Sequence, residues 1–342
     1  MRFSCLAGKM EHRLIDVSHK AIDDKQFPMS VGLRSQTQKL RFASPDIKGR
    51  FLTPTLTFSK MIDIIDKRFN ASLPRPIVHQ ANIGDSLSII YAPFYFDGCL
   101  VDAILNQPIT KKLPDDFDTS LYAGNRLAWN IRFLPTLCPH CGWDLDGKRD
   151  SLVLGCGNCK AVYKPDKNDF SKLTAVHLSG EGEHLRYLPF WRIKADISGI
   201  SLASYADLVR EANLPKTVQP GMPDPAFHFW ALAFKVRPQF FIKLSQTMTV
   251  AQPAGKFLKG IPSGNLHPVN LPLKEGLESL KLTLSGMIKP RQKMVSILPG
   301  IHITPRSFVL VYIPFVEKHH DLVQPEMGLA VNKNMLSHAK NL

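Results

Sequence analysis

Four cysteines near the middle of this 342-residue chain restrict its structure more than any other feature of the sequence. They form two Cys-x2-Cys pairs separated by fourteen residues, and they are Cys138, Cys141, Cys156 and Cys159. A Cys-x2-Cys turn points both sulfurs at one centre, and a hairpin between the two turns would bring the pairs face to face. Asp146-Gly147 lies in that interval and favours a tight type I′ turn. The spacing predicts a four-cysteine metal site built on a hairpin.

Over residues 138–160 the sequence resembles a zinc ribbon, and its first turn, CPHCG, is similar to a rubredoxin knuckle. The resemblance implies one zinc ion per chain, bound by Cys138, Cys141, Cys156 and Cys159. Such a site is structural, because four protein ligands leave no position for water or substrate. In the second turn, CGNCK, Lys160 stands where rubredoxins usually carry glycine. Zinc is therefore favoured over the iron of a rubredoxin-like redox module, which stays as an alternative.

The predicted ribbon is too short to bury a core of its own, whereas the whole chain is long enough for one large domain with an insertion. Pro135 and Pro165 bracket the ribbon, as prolines often bracket surface loops. We expect an α+β body whose N-terminal part spans residues 1–135 and whose C-terminal part spans residues 166–342. The zinc ribbon would be an insertion over residues 136–165.

The tetrapeptide Tyr-x-Pro-Phe occurs three times, each time after an apolar run, and such self-similarity indicates a structural repeat. The copies occupy residues 91–94, 187–190 and 312–315. Two of them are followed by an apolar stretch that ends at an asparagine, Asn106 or Asn332. We interpret each repeat as a hairpin of a strand, a turn and a return strand. The proline should lie at an edge or a bulge, because it cannot donate a hydrogen bond to a neighbouring strand.

Three segments have apolar residues at helical spacing and are predicted to be amphipathic helices. They span residues 58–70, 204–213 and 273–289. Thr57 is the expected N-cap of the first helix, and Ser204 with Asp207 resembles a capping box at the second. Together with the repeated hairpins, these helices predict an α+β fold in which helices cover a mixed or antiparallel sheet.

The formal net charge of the chain is +14, and the basic excess lies towards its two ends. Residues 1–80 carry +7, residues 81–230 carry −2 and residues 231–342 carry +9. A basic surface attracts polyanions, so nucleic-acid binding is a candidate function. Segments 186–194 and 227–244 mix aromatic and basic residues, as surfaces for single-stranded nucleic acids do. The same pattern fits strands of a protein core, which is the favoured interpretation.

Catalytic motifs are missing from the sequence, which has no HExxH, no GxSxG, no phosphate-binding glycine loop and no dinucleotide fingerprint. We therefore expect a non-enzymatic protein. The favoured hypothesis is an interaction, assembly or scaffold factor that binds a protein partner through its zinc ribbon. Nucleic-acid binding through the ribbon and the basic terminal regions is the main alternative.

The sequence also favours a compartment. Its first twenty residues lack the apolar core of a signal peptide, and no window has the length of apolar sequence that a membrane span needs. The cysteines outside the ribbon, Cys5 and Cys99, do not form the even, spread set of a disulfide framework. These features predict a cytoplasmic protein without a membrane span.

Overall fold

The computed structural model describes the chain except residues 7–8, 16, 29–49, 75, 85–87, 123, 125–132, 183, 216–223 and 339–342. The chain divides into two compact units. The large unit comprises residues 1–15, 74–85 and 133–342, and the small unit comprises residues 16–73 and 86–132. The predicted boundaries of the ribbon, at residues 136 and 165, both fall inside the large unit and stay a prediction.

Strands and helices are both present, in agreement with the predicted α+β class. In chain order the strands are β1 (Arg2–Leu6), β2 (Met10–Arg13), β3 (Ile77–Asn82), β4 (Phe94–Phe96), β5 (Leu100–Asp102), β6 (Gln107–Pro108), β7 (Leu145–Asp146), β8 (Leu154–Cys156), β9 (Val162–Asp166), β10 (Asp169–Leu173), β11 (Ala175–Leu178), β12 (Leu185–Ser198), β13 (Phe229–Leu232), β14 (Phe257–Lys259), β15 (Asn265–Leu266), β16 (His302–Lys318), β17 (Asp321–Gln324) and β18 (Leu329–Asn332). The helices are α1 (Phe58–Asn70), α2 (Tyr205–Glu211), α3 (Pro238–Ala251), α4 (Leu273–Glu278), α5 (Leu280–Met287), α6 (Arg291–Ile297) and α7 (Lys333–His338). Within the described ranges, no helix has the length and apolar character needed to cross a membrane.

The main sheet of the large unit has the strand order β13-β12-β16-β11-β14. Its two long strands, β12 and β16, pair antiparallel along their length, from Leu185 opposite Val316 to Ser198 opposite His302. Strand β11 runs parallel to β16, so the sheet is mixed. Strand β15 adds to β12 in parallel, and β17 and β18 extend the sheet from β16 as antiparallel neighbours.

Two copies of the Tyr-x-Pro-Phe repeat lie opposite each other in the β12–β16 pair. The register pairs Tyr187 with Pro314, Leu188 with Ile313 and Pro189 with Tyr312. The two copies are therefore related by a local twofold axis at the Leu188–Ile313 pair, which is fully buried. The repeat forms the centre of the main sheet by pairing one copy with another.

The predicted series of three similar hairpins is not confirmed. The third copy does continue into a hairpin, because β16 turns at His319-His320 into β17. The first copy leads into the small sheet β4-β5-β6, because its Phe94 is the first residue of β4. Asn106 follows β5 in a turn, with φ 55°, and does not end a strand. The second copy is followed by no hairpin, since β12 continues to Ser198.

The prolines of the two paired copies lie inside long strands and not at the outer edge of the sheet. On the side of β12 away from β16, the β15 pairing ends at Tyr187 and the β13 pairing begins at Phe190. Pro189 thus falls in a gap between two short neighbouring strands. Pro314 lies just beyond Tyr312, where the pairing of β16 with β11 ends. Each proline occupies a local edge, so no ladder hydrogen bond is lost. The one irregularity in the β12–β16 register lies elsewhere, at Lys194/Ala195.

The core of the large unit lies between the main sheet and helices α3 to α5. Large aromatic side chains fill it, including Phe190, Phe229, Trp230, Phe234, Phe241 and Phe315. Helix α3 is tied to β13 through Thr249, whose hydroxyl accepts a hydrogen bond from the backbone N–H of Trp230 at 3.0 Å. Trp191 lies on β12 and donates its indole N–H to the carbonyl of Leu271 at 3.2 Å. Segment 186–194 belongs to the core strand β12, as predicted. Segment 227–244 supplies one core strand, β13, but the second strand predicted there is instead the first half of helix α3.

The predicted helices are present with one difference. Ser204 and Asp207 form the capping box expected at the start of α2. The predicted helix over 273–289 is instead two helices, α4 and α5, which meet at Ser279. The buried Ser279 hydroxyl donates to the carbonyl of Gly276, and Thr283 donates its hydroxyl to the Ser279 carbonyl. Such side-chain bonds to helix carbonyls compete with the regular backbone pattern and bend helices.

The small unit contains α1 and the sheet β4-β5-β6. Thr57 is the N-cap of α1, as predicted, and its hydroxyl accepts from the backbone N–H of Lys60 at 3.3 Å. No side chain of α1 is fully buried. The aromatic rings of this unit form a chain of edge and tilted contacts among Phe27, Phe94, Phe96 and Phe117.

We predict that Leu188→Ala lowers the free energy of unfolding of the large unit by about 2–5 kcal/mol, because it opens a cavity at the fully buried Leu188–Ile313 pair of β12 and β16. The matched control is Leu258→Ala on β14, whose side chain is exposed and whose loss should cost less than about 1 kcal/mol. Denaturant unfolding of the two variants measures both effects. Equal destabilisation would show that burial at the Leu188–Ile313 pair does not dominate stability.

Candidate metal centre

The four cysteines of the predicted site converge on one point. The Sγ atoms of Cys138 and Cys159 are 3.6 Å apart, and those of Cys141 and Cys156 are 3.5 Å apart. All four sulfurs lie within 4.8 Å of one another. A zinc ion bound tetrahedrally at about 2.3 Å from each sulfur would hold them about 3.8 Å apart. The arrangement is therefore one that could hold a single metal ion.

The first Cys-x2-Cys turn is a closed loop. The backbone N–H of Gly142 donates to the Cys138 carbonyl at 2.9 Å, and the N–H of Cys138 donates to the Trp143 carbonyl at 2.7 Å. Gly142 has φ 71°, a left-handed conformation that glycine adopts without steric cost. This turn presents the sulfurs of Cys138 and Cys141 from one rigid loop.

The second turn repeats the same hydrogen bonds. The N–H of Lys160 donates to the Cys156 carbonyl at 3.0 Å, and the N–H of Cys156 donates to the Ala161 carbonyl at 2.9 Å. Lys160 has φ 61° and so adopts the conformation that Gly142 has in the first turn. A left-handed backbone costs a non-glycine residue roughly 1–2 kcal/mol. The second turn thus has the same backbone conformation as the first although it carries a lysine, and the backbone of Lys160 is strained as a result.

Backbone N–H groups point at the sulfurs and favour their thiolate form. Burial raises the pKa of Cys138, but the N–H groups of Cys141 and His140 outweigh it and lower that pKa to about 6. The N–H of Trp143 likewise lowers the pKa of Cys141. The Tyr163 hydroxyl lies 3.8 Å from the Cys138 sulfur, and this contact also lowers the pKa of Cys138. Burial, and then this contact with Cys138, raises the pKa of Tyr163 to about 12.

The sulfur of Cys159 behaves in the opposite way to those of Cys138 and Cys141. The N–H of Ala161 lowers the pKa of Cys159, but burial and the neighbouring sulfurs raise it to about 12. Several thiolates within this distance repel one another, so the last of them keeps its proton when no cation is present. A divalent cation would remove that repulsion, because metal ions deprotonate the thiols that coordinate them. The charge balance of the cluster therefore fits a metal ion.

The cysteine turns are carried by the four-stranded sheet β10-β9-β8-β7. Strands β7 and β8 form the predicted hairpin, with Leu145 opposite Cys156. Their connection, however, runs over residues 147–153 and is longer than the predicted two-residue turn at Asp146-Gly147. The sheet extends past the predicted end of the ribbon at residue 165, because β9 pairs with β10 as far as Leu173.

The connection between β7 and β8 is attached to the rest of the large unit. The N–H of Leu152 donates to the Val269 carbonyl at 2.7 Å. The side-chain amide of Asn270 donates to the Asp150 carboxylate at 2.8 Å. Lys148 and Arg149 directly precede these two anchored residues.

The second cysteine turn is attached as well. The carbonyl of the strained Lys160 accepts a hydrogen bond from Ile261 at 3.0 Å. Gly260 allows this contact, because a Cβ atom there would lie 2.5 Å from the Lys160 carbonyl oxygen. Val153 and Val162, from the same region, belong to the main hydrophobic core. The metal centre is therefore continuous with the packing of the large unit.

Among the described residues, no second group of His, Cys, Asp or Glu side chains is arranged to hold a metal ion. His319 and His320 are the two turn residues between β16 and β17, and His319 has φ 47°. The sequence did not indicate Tyr163 or Ile261 as part of the centre. Tyr163 lies four residues after the last cysteine, whereas the Ile261 contact comes from a distant loop and leaves no local signal.

Comparison with known proteins found no match for this chain among protein-family models, curated proteins or solved structures.

We predict that Cys156→Ser releases hydrogen-exchange protection from residues 137–166 and from the loop at 260–270, because the loop hydrogen-bonds to the cysteine region. The β12–β16 pair should stay protected, since its core does not include the cysteines. Exchange measured by mass spectrometry, with Cys99→Ser as the control, tests this. Loss of protection throughout β12 and β16 would show that the whole large unit needs the metal centre to fold.

Proposed function

We propose that this protein is a non-enzymatic zinc-binding factor whose closed four-cysteine site rigidifies a surface for docking a protein partner. Four thiolates around one ion are the donor set of a structural zinc site, and they leave no coordination position for chemistry. A partner would therefore bind the surface whose shape the metal ion maintains.

The observation that carries the proposal is the exposure of Trp143. Its side chain is 60% exposed, whereas Trp191 and Trp230 are exposed by only 3% and 1%. Leu137, on the strand segment paired with Asp144, is 52% exposed. Large exposed aromatic side chains on a rigid support are the usual anchors of protein interfaces.

The metal centre would control this surface directly. The N–H of Trp143 points at the Cys141 sulfur, and its carbonyl accepts from the N–H of Cys138. The backbone of the exposed tryptophan is thus held by two of the four ligand cysteines. Loss of the metal should loosen Trp143, so partner binding is expected to require zinc.

For the metal itself, we predict about one zinc ion and negligible iron per purified chain, as a closed set of four thiolates in a structural site implies. Elemental analysis of protein expressed without added metal measures this, with Cys156→Ser as the variant that loses the ion. A red preparation with a reversible one-electron couple would favour the rubredoxin-like alternative.

We predict that Trp143→Ala abolishes partner binding while leaving the zinc content unchanged, because the side chain is solvent-exposed and only the backbone supports the site. A photo-crosslinking amino acid at position 143 should capture a defined protein in native extract. Phe308→Ala, which removes another exposed aromatic ring of the large unit, is the matched control. Equal binding by both variants would contradict the docking surface.

Nucleic-acid binding stays as the second candidate because of the net charge of +14. The basic segment near residues 281–293 gives it limited support, since Lys293 forms a 2.7 Å ion pair with Glu211. The aromatic residues Trp191 and Trp230 are buried and cannot stack on bases. If the second candidate were correct, affinity for generic DNA or RNA would fall linearly with the logarithm of salt concentration.

A further inference from the structure

Three basic side chains lie together on one face of the main sheet, beyond its buried centre. Arg192 and Lys194 are two residues apart on β12, so their side chains are on the same face. His228 directly precedes β13, where Ile193 is opposite Phe229, and this register places His228 beside Lys194. Arg192 and His228 are half-buried and Lys194 is exposed. We refer to Arg192, Lys194 and His228 as the Arg192 cluster.

The guanidinium of Arg192 is held by aromatic rings. Its Cζ atom lies over the ring of Phe257, 5.2 Å from the centroid, and over the ring of Trp230, 5.9 Å from the centroid. Cation–π contacts of this kind stabilise the charge without supplying a hydrogen-bond acceptor. The five N–H donors of the guanidinium therefore still require acceptors.

Arg192 and Lys194 can only donate hydrogen bonds. Among the residues that the structure describes, no carboxylate pairs with Arg192 or Lys194. The Nη2 atom of Arg192 lies 3.5 Å from Nδ1 of His228. That same Nδ1 lies 2.9 Å from the carbonyl oxygen of Ala226, which can only accept, so Nδ1 carries a proton. Arg192 thus meets a second donor where an acceptor would be favourable.

The pKa shifts of Arg192 and His228 also indicate positive charge that lacks a counter-charge. Burial lowers the pKa of Arg192. Burial, and then the charges of Arg192 and Lys194, lowers the pKa of His228. Both shifts reflect positive charge that is partly removed from water without a counter-charge. A bound anion would supply that counter-charge and accept the unused hydrogen bonds.

We propose that the Arg192 cluster binds a phosphate group, either as the free ion or as the monoester of a small molecule. The planar fork of an arginine matches two phosphate oxygens, and the neighbouring lysine adds a mobile point charge. The neighbouring ring of Trp230 is buried, so it supports the arginine and is not available to a ligand. The site shares no residue with the metal centre or with the surface around Trp143.

The test is a calorimetric titration, in which inorganic phosphate is added at low ionic strength to the full-length, zinc-loaded protein and the heat of binding is measured. We expect saturable one-site binding that Arg192→Met weakens by about ten-fold or more, the effect of losing a hydrogen-bonded charged partner. Lys194→Met should weaken it by about three-fold, as for an exposed charge. The matched control is Arg237→Met, which removes an exposed arginine at the start of α3 and should leave the affinity unchanged.

Thermal unfolding of each variant checks that it is folded, and Lys194→Met remains informative if Arg192→Met is unstable, because Lys194 is exposed. Titrations with a nucleoside monophosphate and with glycerol phosphate then show whether the bound phosphate group is the free ion or part of an ester. Equal affinity for both esters and the free ion supports recognition of phosphate alone, and tighter binding of one ester supports that molecule. Absence of saturable binding, or equal losses in the Arg192 and Arg237 variants, would overturn the proposal.

Discussion

The large unit depends on the antiparallel pairing of β12 with β16. This pairing joins residues 185–198 to residues 302–316, so a long loop must close before any of its contacts form. The full burial of Leu188 and Ile313, which lie opposite each other in the pair, offsets part of that entropy. Strands β13 and β15 then add to one side, and β11 and β17 to the other. Without β12 and β16, the other strands of the main sheet could not join into one sheet.

The local features of the chain could be predicted from its sequence, and the long-range ones could not. Cysteine spacing and cap residues act over a few positions, which is why the convergence of the four cysteines and the capping at Thr57 and Ser204 agree with expectation. The Tyr-x-Pro-Phe repeat was visible, but its pairing of one copy with another is a matter of register between distant strands. The division of the 273–289 helix at Ser279 depends on side-chain hydrogen bonds that periodicity does not show.

The same distinction applies to the metal centre. Its four sulfurs follow from spacing, whereas its attachment to the large unit comes from residues 260–270. Lys160 joins the two, because its left-handed backbone completes the second turn and its carbonyl accepts from Ile261. The close approach at Gly260 leaves no room for a side chain. A strained residue that also makes a long-range contact thus fixes the second cysteine turn against the loop at residues 260–270.

Strand β12 shows how one segment can serve both the core and a binding surface. Its middle residues, such as Phe190, are buried, whereas exposure increases from Arg192 to Lys194 on the same face. Aromatic neighbours that would otherwise belong only to the core then hold a cation at the boundary with solvent. A half-buried charge without a counter-charge is unfavourable for stability alone, since a desolvated ion costs free energy unless it is paired. Its position therefore favours a role in binding, and the chemistry of the site selects an anion.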